Sequence, residues 1–409
     1  MARRLRELVQ RVRQSKKAKD REDAVGDLYA LELTKRDMLD LRWAIGQSYP
    51  DDRTNGEIRG VLFDKLSNIP DPTTVAFVQR VYPVLPATPE IRESALATLS
   101  EISSEASLRA LCRILIDHQP KLALDNVIYP IIASPKNAGI MFPDVLTLLS
   151  ERNYRRGIYA IAAAGLAAGT VSPSALGAAG PRILTDLHAA GRSYNRTEQE
   201  SAARVAAERH LVAVVTVMGA FVENAEVNRA LRAAVQHENA RVAFTALCAC
   251  RSVSGASPEA LKRFATNPAT RLDLFDHLQN MGQERMFPEK WRTQASFAEG
   301  DMARWLVRHN WSAPAKIKHI ETRTLKLLGK EARYYVYEYK DRHSSREWLI
   351  GISGPQPLDL KKMETAGRFT FSANSSLRDE GIDKQIERLK FKARREKDKP
   401  KRGKTKARS

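Results

Sequence analysis

Cysteine is nearly absent from this chain: there are three in 409 residues, at Cys112, Cys248 and Cys250. An odd count without a Cys-x-x-Cys spacing excludes a disulfide framework and a structural zinc site. It suits a reducing compartment, so a cytoplasmic location is expected. Cys248 and Cys250 stand two apart, and on a helix they point in different directions. Aromatic residues are also few, at 7%. No apolar run has the length of a bilayer span. Gly157–Pro181 is uncharged, but its strongly apolar part stops at Val171 and is rich in Ala and Gly. It reads as a buried helix packed closely through small residues. The stretch His210–Val222 reads as another core helix. The N-terminus is basic but has no apolar segment behind it, so no secretory signal is expected.

Motifs that carry chemistry are missing as well. The sequence contains no HExxH, no GxxxxGK[ST], no GxGxxG after a strand and no GxSxG. The histidines are His118, His188, His210, His237, His277, His309, His319 and His343. His118 and His237 close predicted helices, where a cation meets the negative end of the dipole. The carboxylate pairs Asp51–Asp52 and Asp379–Glu380 lie in polar, loop-like surroundings that would not tune a general acid. No enzymatic activity, cofactor, metal site or small-molecule substrate is therefore expected.

Charge is present in excess but is unevenly placed. The net charge is +19. Met1–Arg21 holds nine basic and two acidic residues, and Lys384–Ser409 holds thirteen and three. The two ends thus carry nearly all of the excess, and the body between them is close to neutral. The N-terminal arm sets Leu5, Leu8, Val9 and Val12 on one helical face among arginines. Two readings of it stay open: a cap docked on the first repeat, or a contact for a partner or an anionic membrane. The C-terminal arm begins as a helix and degrades into a Lys/Arg-rich tail, which reads as disordered. The residues expected to contact an acidic partner or nucleic acid are Arg3, Arg4, Arg11, Arg13, Lys390, Lys392, Arg394, Arg395, Lys401, Arg402, Lys404 and Lys406.

From about residue 21 to 309 the sequence is a succession of helix-period segments separated by Pro, Gly, Asn and Ser-Pro. One self-match stands out. Gly56–Ile69 lies over Pro89–Ile102 without a gap, at an offset of 33 residues, with Glu, Ile, Arg, Leu, Ser and Ile in common. Glu238–Ser252 is a looser third copy through Arg241, Val242, Ala243 and Leu247. In the second copy Ile91, Ala95, Leu99 and Ile102 form the apolar stripe, which a helix pair cannot bury alone. Through Glu90-Ile91-Arg92 with Ala95 and Leu99, and Ala240-Arg241-Val242 with Phe244 and Leu247, the chain resembles HEAT-like repeat proteins. That resemblance implies an α-solenoid, a stack of helix pairs whose concave face binds a partner. It implies no activity.

After Pro314 the period changes to two. Candidate strands are Lys316–Leu327, Ala332–Lys340, Glu347–Ser353 and Arg368–Ser372, the second and third forming a hairpin. Tyr335, Tyr337 and Tyr339 fall on one face, and Tyr334 and Val336 on the other. A module this small needs its aromatics inward. Tyr335, Tyr337, Trp348, Ile350, Phe369 and Phe371 are the expected core, with Trp305 of the preceding helix against them. The opposite reading, a stacking platform for single-stranded nucleic acid, lacks an RNP-like run. The layout is similar to the C-terminal extension of some uncharacterised bacterial HEAT-repeat proteins.

The expected architecture is mainly α. Residues 1–20 form the basic arm, 21–300 a HEAT-like α-solenoid, 301–378 a helix with a small antiparallel β-sheet module, and 379–409 the basic tail. The expected function is a non-enzymatic scaffold that binds a protein partner on the solenoid, with the basic arms contacting an acidic partner. The alternative is a DNA- or RNA-binding protein that uses the groove and the arms; the HEAT-like DNA glycosylases show that such folds can carry repair chemistry.

Overall fold

The computed structural model describes residues 2–69, 71–122, 124–198, 201–250, 256–310, 316–327, 329–340, 348–362 and 381–398. The chain divides into two compact units, 1–186 and 187–409.

The first unit is helical: α1 (Ala2–Gln14), α2 (Ala18–Ala30), α3 (Met38–Ile45), α4 (Asp52–Ser67), α5 (Thr74–Val81), α6 (Pro89–Ile102), α7 (Glu105–His118), α8 (Asp125–Ala133) and α9 (Arg152–Ala167). The division falls within α10 (Ile183–Arg196). Helices alternate between two layers. In one layer α2 packs on α4, α4 on α6 and α6 on α8; in the other, α5 packs on α7. The two self-matching segments are therefore α4 and α6, direct neighbours in one layer. Ile58, Leu62, Ile91, Ala95 and Leu99 are buried between the layers, and Thr98 Oγ1 donates to Phe63 O across α4 and α6 at 3.2 Å. Ile102, the end of the expected stripe, is only half-buried. The uncharged Gly157–Val171 stretch folds as the second half of α9 and its turn. A methyl at Gly157 would lie 3.1 Å from Leu124 Cβ, so the absent side chain sets the close approach of α8 and α9.

The second unit continues with α11 (Ala202–Met218), α12 (Ala225–Ala234), α13 (Ala240–Ala249), α14 (Pro258–Thr266), α15 (Pro268–Asn280) and α16 (Gln294–Asn310). Here α11 packs on α13, α13 on α15 and α15 on α16. The punctuation seen in the sequence does local work. Asn239, Ser257 and Asn267 accept backbone N–H bonds as N-caps, and Pro258 and Pro268 occupy first helical positions, where no N–H is needed.

The arginine of the self-match has a structural role. Arg59 donates to Ile45 O at 3.1 Å and Gln47 O at 2.7 Å, carbonyls at the end of α3, and its guanidinium lies 5.5 Å over Tyr49. Arg271, almost wholly buried, donates to Ala265 O at 2.7 Å and Thr266 O at 3.1 Å at the end of α14. It also lies 4.6 Å over Trp291. Arg204 does the same to Tyr194 O and the Tyr194 ring, and Arg263 to Val235 O and His237 O. A guanidinium offers five donors in one plane, enough to satisfy the orphan carbonyls of a neighbouring helix end while stacking on an aromatic. The third copy departs from this pattern: Arg241 pairs with the buried Glu208 at 2.9 Å.

The C-terminal part holds β1 (Lys316–Leu327), β2 (Lys330–Lys340) and β3 (Leu349–Gln356), then α17 (Ile382–Asp398). The strands form an antiparallel sheet in the order β1-β2-β3, and β2–β3 is the expected hairpin. The fourth candidate strand, Arg368–Ser372 with Phe369 and Phe371, lies outside the described residues. Both faces of β2 are buried. Tyr335, Tyr337, Tyr339 and Leu349 pack on Ala298, Met302 and Leu306 of α16, with Trp305 at the margin. Tyr334, Val336, Ile350 and Ile352 pack on Ile386 and Leu389 of α17. The expectation that Ile350 shares a core with Tyr335 and Tyr337 is thus corrected. Register pairs Ile352 with Val336 and Ile350 with Glu338, which puts both isoleucines on the α17 side. Trp348, also expected inside, is half-buried just before β3 begins.

Candidate interaction surfaces

The N-terminal arm is α1, and its apolar stripe is covered. Leu5, Leu8, Val9 and Val12 are all buried against α2 and α3. Of the two readings left open by the sequence, the docked cap is the one observed. Its arginines are largely engaged within their own unit. Arg3 Nε donates to Glu7 at 3.0 Å, Arg11 pairs with Asp27 at 3.5 Å and Arg13 Nε donates to Ser48 O at 3.2 Å. Arg6 pairs with Asp40 at 2.5 Å and lies 5.3 Å over Trp43. Arg4 is exposed.

The C-terminal arm begins as a helix, as expected, and that helix is Ile382–Asp398. Ile382, Ile386 and Leu389 recur at helical spacing and hold it on the sheet. Arg323 of β1 pairs with Asp383 at 2.5 Å. Beyond Leu389 the large aliphatic stripe ends while the basic residues continue. Lys390 is exposed, and Phe391 is 61% exposed. Lys392, Arg394 and Arg395 follow on the same helix, and Lys401, Arg402, Lys404 and Lys406 lie outside the described residues. Of the twelve candidate contacts, four belong to the first unit and eight to the second.

Several other titratable groups serve the fold. Burial pushes the Cys112 thiol up to about 11 and the Cys248 thiol up to about 12, so both stay protonated. Asp51 caps α4, and the Thr54 backbone N–H it accepts holds its carboxyl below the usual range. Asp186, deeply buried, takes Tyr159 OH at 2.8 Å and Arg182 Nε at 2.8 Å. His237 corrects an expectation. Its Nδ1 accepts from Asn239 N at 3.0 Å, and burial lowers its pKa below 6.5. It is therefore a neutral acceptor and not a cation at a helix end. Among the described residues, no grouping of three or more His, Cys, Asp or Glu could hold a metal ion. Among them, too, no helix is long and apolar enough to cross a membrane.

One polar group that the sequence reading missed is Gln294, at the start of α16, whose side chain is buried. Its Nε2 donates to Pro357 O at 2.9 Å, Asp359 O at 3.3 Å and Lys362 O at 2.8 Å, while its Oε1 accepts from Tyr335 OH at 2.8 Å. No local signal marks it, because its partners lie more than forty residues away. Compared with known proteins, the chain matches no family model, no curated protein and no solved structure.

Proposed function

We propose that this protein is a non-enzymatic scaffold built as a HEAT-like α-solenoid, with its helix layers serving a protein partner and its C-terminal arm adding electrostatic attachment to an acidic partner. The layered packing supports the solenoid: alternate helices stack within each unit, and arginines repeatedly close the end of a preceding helix. The observation that carries the attachment is the end of α17. The apolar stripe stops at Leu389, and the helix runs on to Asp398 through Lys390, Lys392, Arg394, Arg395 and Lys397. A basic helical extension of this kind is a surface for carboxylates.

The test is a charge-neutralised chain, with Lys390, Lys392, Arg394, Arg395, Lys401, Arg402, Lys404 and Lys406 changed to Gln. It is titrated beside the parent with a labelled oligoglutamate peptide and with duplex DNA, at low and at physiological salt. The parent is expected to bind the peptide in a salt-sensitive way and the variant to lose it. Tight duplex binding that survives neutralisation with its salt slope intact would replace this reading with a groove that takes nucleic acid.

A further inference from the structure

Between the first turn of α16 and the segment Pro357–Lys362 lies a cavity of about 520 Å³. That size falls within the range of small-molecule pockets. Its shape is fixed in advance. Gln294 ties three carbonyls of the 357–362 segment to α16, and the Tyr335 hydroxyl is held by the same side chain. Tyr335, Ala295 and Leu360 supply apolar wall, and Leu360 is 60% exposed there.

The charged lining is unbalanced. Arg292 and Lys361 both border the space, against a single carboxylate, Glu289. Among the described residues none of the three takes part in an ion pair, and the Arg292 guanidinium only lies 5.9 Å from the Phe275 ring centre. The helix end does not supply the site's charge, because Thr293 Oγ1 already caps the Ser296 N–H at 3.2 Å. An unpaired guanidinium and an ammonium beside a preformed, partly apolar hollow suit a ligand with one anionic end and one apolar end.

We propose that this cavity binds a small organic anion, a carboxylate on a short apolar body. Arg292 and Lys361 take the carboxylate, and Tyr335, Ala295 and Leu360 take the body. The site is independent of the scaffold reading, and failure of either leaves the other standing.

Calorimetric titration of the full chain with hexanoate, acetate and inorganic phosphate, at matched ionic strength, tests it. Hexanoate is expected to bind more tightly than acetate or phosphate. Arg292→Gln should weaken hexanoate by about tenfold or more, the loss of one charge-assisted contact. Ala295→Leu, at an exposed position on α16, should fill the space and abolish binding while leaving the melting temperature in place. Phosphate binding as well as hexanoate would overturn the apolar half of the proposal. Absence of hexanoate binding, or binding that survives both substitutions, would overturn all of it.

Discussion

The two basic ends of this chain, α1 and α17, both lay an apolar stripe on a folded body, yet the stripes cover different shares of their helices. In α1 the stripe runs from Leu5 to Val12, within three residues of either end of the helix, and Arg3, Arg11 and Arg13 find acceptors inside the first unit. In α17 the large aliphatic residues stop at Leu389, nine residues before the helix ends at Asp398. A stripe that spans its helix brings the flanking arginines within reach of the body's carboxylates and carbonyls. A stripe that stops short anchors only one end of its helix. Counting charge at a terminus is therefore a poor guide to the charge a partner can use.

The largest effect should come from removing the support of α17. Tyr337→Ala deletes a ring buried between β2 and α16, whose hydroxyl also donates to Ala295 O at 3.1 Å. It should cost about 3–5 kcal/mol, read by urea denaturation. If the sheet holds α17, helical signal should be lost with it. An unchanged midpoint would mean that this face of the sheet is not core.

Next come the anchors themselves. Leu5→Ala and Leu389→Ala each truncate a fully or nearly fully buried side chain. Each should cost on the order of 2–5 kcal/mol if its helix is integral to its unit. Hydrogen exchange should then show α1 opening in the first and α17 in the second. If Leu389→Ala changes neither stability nor exchange, the C-terminal arm is not docked and the comparison fails. Leu99→Ala, in the α4–α6 layer, belongs to the same class and tests the 33-residue alignment.

Charge substitutions should be milder and should separate the ends. Arg11→Gln removes a half-exposed pair and should change stability by roughly 0–1 kcal/mol without affecting oligoglutamate binding. Lys390→Gln should do the reverse, lowering peptide affinity at constant stability. Equal binding losses at both ends would remove the distinction drawn here.

The smallest effect concerns pH. Neither α1 nor α17 contains histidine, so docking of the arms should be flat near neutrality. His237 differs, since burial holds its folded-state pKa below 6.5. As pH falls past that value the unfolded chain takes up the proton first, so the stability present above it is lost toward the lower folded pKa. His237→Gln should flatten the acid limb of stability against pH in the second unit. An unaltered acid limb would assign it to other groups.

Much of this architecture was legible one segment at a time. Period-two alternation located β1 at Lys316–Leu327, residue for residue, and Asn267-Pro268 and Ser257-Pro258 marked helix starts. The stripe through Ile91, Ala95 and Leu99 named core residues, and the Ala/Gly run of α9 read as close packing before any contact was known. These follow from local chemistry: which dihedral angles a residue favours, which backbone groups its side chain can cap, and which face of an element is apolar. Such a pattern states that a face must be covered but not by what. Only tertiary structure decided that α2 and α3 cover the stripe of α1, that α17 closes the second face of the sheet, and that register sends Ile350 and Ile352 to it and not to the tyrosines beside α16. The cavity beside Gln294 is the extreme case. Arg292 and Lys361 meet there across most of the module's length, and no short-range signal encodes a meeting that depends on how the whole chain packs.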